Sequence, residues 1–135
     1  MKSETLIIDD DKIICILHEK LCNIYQLPSP RSFTRAAEAL AYIQARNNPG
    51  QSFTILLDIN MPEMNGWQFL DVLSNEELRA SIYLVLLSSS VDKSDREQAK
   101  SCPLVDAFIS KPLDTSKING LMADEKLLER IDTLR

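Results

Sequence analysis

The sequence predicts an α/β fold in which a parallel sheet is covered by helices on both faces. Three observations support this prediction: short apolar runs alternate with segments of helical spacing, the alternation occurs five times, and the runs at 53–57 and 82–87 are mostly apolar on both faces. Strands of that kind are typical of parallel sheets buried between two helical layers. Successive parallel strands then require right-handed helical crossovers.

The first strand and helix are predicted within residues 6–24. The run at 6–8 is short and β-branched, and from Lys12 onward apolar residues recur at intervals of three and four, which indicates a helix with one apolar face. The positions that form this face are Ile13, Ile14, Leu17, Leu21 and Ile24. Pro28 and Pro30 then end the helix, because proline lacks the backbone N–H that a helix needs.

The second unit has the weakest signals. Residues 31–33 predict a short strand, and Thr34 is the predicted N-cap of the helix that follows, since threonine can accept a hydrogen bond from an unpaired backbone N–H. The apolar face of this helix consists of Ala36, Ala39, Leu40 and Ile43. Residues 47–50 are a loop by composition.

The last three units follow the same alternation. Strand 53–57 leads through a loop at 61–65 into a helix from Gly66 to Ser74, whose predicted inward residues are Phe69, Leu70 and Leu73. Strand 82–87 is followed by Ser94-x-x-Glu97, a capping-box pattern that opens a helix with little apolar content. Strand 107–110 precedes a helix capped by Asp114, whose apolar residues are Ile118, Leu121 and Met122.

Length and composition restrict the class of protein. The 135 residues suit one domain, which we place at residues 1–122, followed by a C-terminal helical extension at 123–135 without an output domain of its own. The extension carries Leu127, Leu128, Ile131 and Leu134 at helical spacing. These residues predict either packing on the domain or a dimer or partner surface, so a weak homodimer stays open.

Charge and cysteine content exclude several partners and compartments. The net charge of −5 argues against non-specific binding to nucleic acid or anionic lipid. The longest apolar run, at 82–87, is too short to span a membrane, and no signal-peptide pattern occurs, so we expect a cytoplasmic protein. Cys15, Cys22 and Cys102 form no CxxC motif and are expected to be reduced, while His18 is expected on the surface of its helix.

Polar residues follow four of the five predicted strands. They are Asp9, Asp10 and Asp11 after the first, Asp58 and Asn60 after the third, Ser88, Ser89 and Ser90 after the fourth, and Lys111 and Pro112 after the fifth. Each has an ordinary structural explanation when taken singly, such as an N-cap for Asp11. Together they converge, because parallel strands end at the same edge of a sheet. Crowded carboxylates repel one another unless a cation compensates, and oxygen ligands suit Mg²⁺.

The segments 6–11, 57–66, 87–89 and 108–112 together resemble the receiver domain of two-component response regulators. The resemblance covers about residues 4–122, and its motifs occur in the family's order on the expected elements. It implies a five-stranded, doubly wound, flavodoxin-like three-layer sandwich with strand order 2-1-3-4-5. Because no output domain follows, the chain is most similar to the stand-alone, chemotaxis-type (CheY-like) receivers.

The resemblance also implies roles for individual residues. Asp58 would be the phosphoacceptor that receives a phosphoryl group from a phosphohistidine. Asp10 would ligate Mg²⁺ directly and Asp9 through water, while Asp58 and the backbone carbonyl of Asn60 would complete the protein ligands. These roles agree with phosphoryl-transfer chemistry, which depends mostly on positioning and charge neutralisation.

The same resemblance assigns the residues that read the phosphoryl group. Ser88 and Lys111 would each bind one of its oxygens, and the peptide bond before Pro112 would be cis. Phe108 stands at the family's switch position, where it lacks the hydroxyl of the more common tyrosine. The loop contains Asn65-Gly66 where Asp-Gly is more common, and asparagine can hold the same turn.

The predicted function is therefore a phosphoacceptor signalling switch and not an enzyme. Its partners would be a sensor histidine kinase or phosphotransfer protein and an unidentified downstream protein that binds helix 4, strand 5 and helix 5. One alternative is a degenerate receiver that acts only as an interaction scaffold. The other is a phosphatase of the haloacid-dehalogenase type, which typically needs a general acid where this chain has Asn60.

Overall fold

The predicted parallel sheet is present in a computed structural model, which describes residues 2–89 and 93–131. Its five strands lie in the order β2-β1-β3-β4-β5, and every neighbouring pair is parallel. The predicted fold class and strand order are therefore confirmed. The order of strands reverses between β1 and β3, which is where ligands bind in sheets of this kind.

Strands and helices alternate along the chain until the two last helices, which follow one another directly. The elements are β1 (Lys2–Ile8), α1 (Lys12–Ile24), β2 (Pro30–Phe33), α2 (Ala36–Ala45), β3 (Gln51–Asp58), α3 (Gly66–Ser74), β4 (Ser81–Ser88), α4 (Lys93–Lys100), β5 (Ala107–Ser110), α5 (Thr115–Met122) and α6 (Glu125–Ile131). Among the described residues, no helix has the length and apolar character that crossing a membrane requires.

Helices cover both faces of the sheet, and each face has its own apolar layer. Residues of α2, α3 and α4 pack on one face, whereas residues of α1, α5 and α6 pack on the other. The predicted inward residues of α2, α3 and α5 are buried, namely Ala36, Ala39, Leu40, Ile43, Phe69, Leu70, Leu73, Ile118 and Leu121. Helix α4 contributes a single buried residue, Ala99, which agrees with its low apolar content.

The first strand begins four residues earlier than its apolar run. It starts at Lys2 because the polar residues ahead of the run pair with β3, and three of them, Ser3, Glu4 and Thr5, are buried. Glu4 accepts hydrogen bonds there from the Tyr42 hydroxyl and from Gln51 Nε2, the latter at 3.0 Å. Because these residues are polar, hydrophobic periodicity did not identify them as part of a strand, and the predicted strand began too late.

Helix α1 faces the sheet with the side that carries Cys15 and Cys22. Its buried residues are Cys15, His18 and Cys22, so the expectation that His18 lies on the surface is wrong. The larger apolar side chains of the helix point away from the sheet, and Ile13, Ile16, Leu17 and Ile24 are between 50% and 69% exposed.

Two short contacts near the start of α1 support this orientation. The Asp11 side chain caps the helix by accepting from the backbone N–H of Ile13 at 2.9 Å, which confirms its predicted capping role. One turn later, the Cys15 thiol donates to the carbonyl oxygen of Asp9 at 3.3 Å, and this bond turns the cysteine side of the helix toward the sheet. Periodicity predicts that a stripe exists but not which way it faces.

Two predicted helix starts are wrong by one or two residues. Helix α2 has Arg35, not Thr34, at its N-cap, and no side chain caps it. Helix α4 starts at Lys93, so Ser94 lies within its first turn and the pattern Ser94-x-x-Glu97 does not mark the cap. Composition identifies residues that are able to cap, whereas the backbone path from the preceding strand decides where helical dihedrals begin.

The C-terminal extension packs on the domain. Leu127 and Ile131 of α6 are buried in the same apolar layer as α1 and α5. The carbonyl oxygen of Arg130 also accepts from the hydroxyl groups of Ser3 at 3.0 Å and Ser52 at 3.2 Å, which ties α6 to β1 and β3. Leu134, the last apolar residue of the predicted pattern, lies outside the described residues.

Candidate functional site

Three carboxylates and one ammonium group meet where β1, β3 and β5 end. Oxygen atoms of Asp9, Asp10 and Asp58 all lie within 4.8 Å of one another. The Lys111 ammonium lies 2.7 Å from Asp9 Oδ2 and 3.3 Å from Asp58 Oδ1. Asp9 and Asp58 are buried and Asp10 is exposed, so the cluster has one side open to solvent. The convergence predicted from strand order is present.

Backbone N–H groups hold the two buried carboxylates in place. Asp9 Oδ1 accepts from the N–H of Asp11 at 2.9 Å, in the turn that leads into α1. Asp58 Oδ1 accepts from the N–H of Asn60 at 3.3 Å, in the turn that follows β3. Aspartate is favoured in such turns because its short side chain reaches the N–H two residues further on.

A glycine lets α3 approach the end of β3 closely. A Cβ atom on Gly66 would lie 2.8 Å from the Cα atom of Ile59 and 3.0 Å from the carbonyl oxygen of Asp58, which leaves no room for a side chain. Asn65 caps α3 by accepting from Gln68 N–H at 2.9 Å, while Gln68 Oε1 accepts from the N–H of Asn65. Asparagine thus performs the turn role expected of it.

The end of β4 bonds both to the turn that follows β3 and to the residue that follows β5. Ser88 is fully buried, and its carbonyl oxygen accepts from the Lys111 N–H at 2.8 Å. The Asn60 side-chain amide donates to Ser89 Oγ at 3.2 Å, a contact between two loops that no sequence signal indicated. Ser90 lies outside the described residues. The peptide bond between Lys111 and Pro112 is cis, the conformation that the resemblance implied.

Phe108 lies on the face of the sheet that α4 covers. Its ring is partly buried against the apolar layer, and the guanidinium of Arg96 lies 5.6 Å from the ring centre. These two residues line an open cavity of about 220 Å³ between α4 and β5, together with Ala99 and Lys100. The cavity leaves space beside the ring that a packed helix would otherwise fill.

Burial and charge act in opposite directions on the site. Burial raises the pKa of Asp58, and the neighbouring Asp9 carboxylate raises it further, although Lys111 opposes both effects. Burial alone would lower the pKa of Lys111, but the two carboxylates beside it outweigh that effect and raise it. The lysine therefore stays protonated, while the ionised form of Asp58 is held in an unfavourable setting.

The donor set fits Mg²⁺. The side-chain ligands brought together are carboxylate oxygens, and the exposed Asp10 leaves room for the water molecules that Mg²⁺ retains. One ammonium cannot neutralise three carboxylates, so a divalent cation would balance the charge. Chemically, the arrangement offers a carboxylate nucleophile at Asp58 and a cation at Lys111.

Comparisons with known proteins agree with this geometry. The model of the family described as "Response regulator receiver domain" matches residues 5–123. A two-component response regulator from Cytophaga hutchinsonii is 28% identical, with a TM-score of 0.77, 93% of this chain and 96% of that chain covered. A response regulator receiver protein from Dyadobacter fermentans is 30% identical, with a TM-score of 0.71 and coverages of 90% and 95%. The chemotaxis response regulator CheY4 of Vibrio cholerae shares the fold, at 17% identity and a TM-score of 0.71. The match covers 90% of this chain and 97% of that chain.

The raised pKa of Asp58 predicts a pH-dependent gain of stability in Asp58→Asn. Well below pH 3.8, the ordinary pKa of an aspartate, the carboxyl group is protonated in both the folded and the unfolded state, so the variant and the unaltered chain should differ little in stability. As the pH rises through 3.8 toward the raised value, ionisation favours the unfolded state of the unaltered chain. In EDTA, urea unfolding should therefore show the free energy of unfolding of Asp58→Asn rising relative to that of the unaltered chain as the pH increases from 3.8, and the difference should persist at neutral pH. An unaltered chain that is the more stable at neutral pH would contradict this.

Proposed function

The chain belongs to the response regulator receiver domain family, whose members are phosphoacceptor signalling switches and not true enzymes, and we propose that its phosphoacceptor is Asp58. The observation that carries the proposal is the lysine ammonium placed 2.7 Å and 3.3 Å from two buried carboxylates at the end of the sheet. Of those two carboxylates, Asp58 ends β3 and bonds through one oxygen to the Asn60 N–H.

The proposed reaction transfers a phosphoryl group from a phosphohistidine of a sensor histidine kinase or phosphotransfer protein. An oxygen of Asp58 attacks phosphorus, a P–O bond forms, the P–N bond breaks, and the imidazole leaves with its electron pair. Lys111 neutralises charge on a phosphoryl oxygen, and the hydroxyl of Ser88 donates to another. Bound by Asp10, by Asp58 and the carbonyl of Asn60, and by Asp9 through water, Mg²⁺ would supply the remaining charge neutralisation.

A phosphatase function has less support. Enzymes of the haloacid-dehalogenase type use a general acid two residues after the nucleophile, and Asn60 occupies that position. Its side-chain amide donates to Ser89 Oγ. Because an amide does not ionise at neutral pH, Asn60 cannot act as a general acid. A receiver that only scaffolds would not need a lysine ion-paired to two buried carboxylates, because buried charges are costly to keep.

The donor protein is proposed to contact α1. In the described part of the chain, the large apolar side chains left exposed all belong to this helix, namely Ile13, Ile16, Leu17 and Ile24. Exposed apolar patches commonly mark protein–protein contacts. The stripe begins three residues after Asp10, at the solvent-exposed side of the acidic cluster, and a donor histidine must reach Asp58 from that side.

The downstream protein is proposed to read the face formed by α4, β5 and α5. Helix α4 has one buried residue, Ala99, so its packing free energy is small and its position can shift. Movement of Ser88 toward a phosphoryl group would free space beside β4, and the ring of Phe108 could then turn inward from the cavity it now lines. A partner that prefers the inward state must also favour phosphorylation.

Phosphate uptake tests the central proposal. Acetyl phosphate with Mg²⁺ should label the unaltered chain, whereas EDTA or Asp58→Asn should abolish labelling, because the first removes the cation and the second the nucleophile. Circular dichroism of Asp58→Asn serves as the folding control. Label retained in Asp58→Asn would move the acceptor to another residue, and steady release of phosphate without retained label would indicate a phosphatase.

The donor contact can be separated from the chemistry. Leu17→Glu should slow transfer from a histidine-phosphorylated phosphotransfer protein about tenfold, the loss that ~1.4 kcal/mol of contact free energy produces. Labelling by acetyl phosphate should be unchanged, because that small donor needs no docking surface. Ala41→Glu, an exposed change of equal charge on α2, is the matched control. Equal rates for Leu17→Glu and Ala41→Glu would place the donor elsewhere.

The switch mechanism predicts that Ser88→Ala still accepts phosphate but shows little of the structural change at α4 and β5. Hydrogen exchange should change at residues 93–112 when beryllofluoride and Mg²⁺ are added to the unaltered chain, and hardly at all in α2. In Ser88→Ala most of that change should be lost, because the hydroxyl that follows the phosphoryl group is missing. A full response in Ser88→Ala, or a response confined to α1 and α2, would refute the proposed path.

A further inference from the structure

A second lysine bridges the two carbonyl groups on either side of the lysine in the site. Lys117, on the first turn of α5, donates from Nζ to the carbonyl oxygen of Ser110 at 2.6 Å and to that of Pro112 at 3.0 Å. Those residues flank Lys111 directly in the chain. The ammonium of Lys117 therefore holds the backbone turn from which the Lys111 side chain projects.

The backbone of Lys111 is held from the opposite direction as well. Its N–H donates to the carbonyl oxygen of Ser88 at 2.8 Å, at the end of the neighbouring strand. The peptide unit between Ser110 and Lys111 is thus bonded at both its oxygen and its nitrogen. With that unit fixed, the long side chain of Lys111 starts from a defined direction and ends between Asp9 and Asp58.

Lys117 occupies a position where a lysine is otherwise unfavourable. Asp114 caps α5 and accepts from the Lys117 N–H at 2.9 Å, so Lys117 is the third residue of the helix. That position favours glutamate or glutamine, and a positive charge there opposes the helix dipole. A residue that breaks a local rule is expected where another requirement outweighs it. The two carbonyl acceptors supply that requirement, since an ammonium forms strong charge-assisted hydrogen bonds with them.

We infer that Lys117 is a positioning residue for phosphoryl binding, which acts by holding the turn that aims Lys111 at Asp58. The inference rests on the proposed function and deepens it, because it assigns a role to a residue that does not touch the carboxylates in the described contacts. It requires Lys117 to act through Lys111 and not through its own charge.

The first measurement is the affinity for beryllofluoride in the presence of Mg²⁺. Lys117→Met, which keeps an unbranched stem without the ammonium, should weaken binding about tenfold, equivalent to ~1.4 kcal/mol. The affinity for Mg²⁺ alone should not fall, because Lys111 does not ligate the metal and a less firmly held ammonium beside Asp9 and Asp58 competes less with it. Lys2→Met loses the same charge at an exposed position at the opposite end of β1, and should change neither affinity.

A double-mutant cycle with Lys111→Met separates positioning from a direct effect. If Lys117 acts only through Lys111, adding Lys117→Met to Lys111→Met should change beryllofluoride affinity by less than about twofold. The same tenfold loss in both backgrounds would show that Lys117 acts independently, and no loss in either would show that it does not act; both results overturn the inference. Lys117→Gln replaces Lys117→Met in the cycle should that variant fail to fold.

A readout without metal or phosphoryl analogue tests the geometry itself. Hydrogen exchange of the Lys111 amide should be faster in Lys117→Met than in Lys2→Met, and Lys117→Arg, which keeps several N–H donors, should restore slow exchange. Unchanged exchange would overturn the inference. Labelling of the unaltered chain by acetyl phosphate is measured alongside: failure there refutes the proposed function, whereas normal labelling with an unaffected Lys117→Met refutes the positioning role alone.

Discussion

The pairing of one ammonium with two buried carboxylates is the constraint around which the site is organised. Asp9 and Asp58 are 2% and 3% exposed. Removing a carboxylate from water costs on the order of several kcal/mol unless its charge is compensated. Lys111 compensates one negative charge. The backbone N–H bonds to each carboxylate help, yet the cluster with Asp10 keeps a net negative charge. That remaining negative charge explains why the site suits a divalent cation, and the cation would in turn offset the negative charge of the proposed phosphoryl group.

The fold holds this charged centre in place and leaves different surfaces on its two sides. The carboxylates and Lys111 follow the ends of β1, β3 and β5, so each depends on the tightly paired sheet. On one face of the sheet α1 presents an exposed apolar stripe, and on the other α4 buries a single residue, Ala99. A donor surface and an output surface can therefore differ in sequence and mobility without disturbing the shared centre.

Helix α1 shows why an apolar surface remains exposed on one side of the sheet. Its buried side consists of two thiols and an imidazole, all neutral in this setting, since burial raises the pKa of Cys22 to about 12 and lowers that of His18. Burial likewise raises the pKa of Cys15, so neither thiol is activated as a nucleophile. Because these side chains are neutral, they can be buried against the sheet without a compensating charge. The larger apolar residues of the helix then remain at the surface, where a partner can cover them.

Local patterns along the chain are enough to predict the type and order of the elements, and which residues meet at the site. Periodicity and turn residues are local signals, and every parallel strand ends at one edge, so Asp9, Asp58 and Lys111 had to converge. Three features became apparent only from contacts between elements: His18 is buried, β1 extends back to Lys2, and Lys117 bridges the turn beside Lys111. These features depend on hydrogen bonds and packing between elements whose distance and direction no local pattern records.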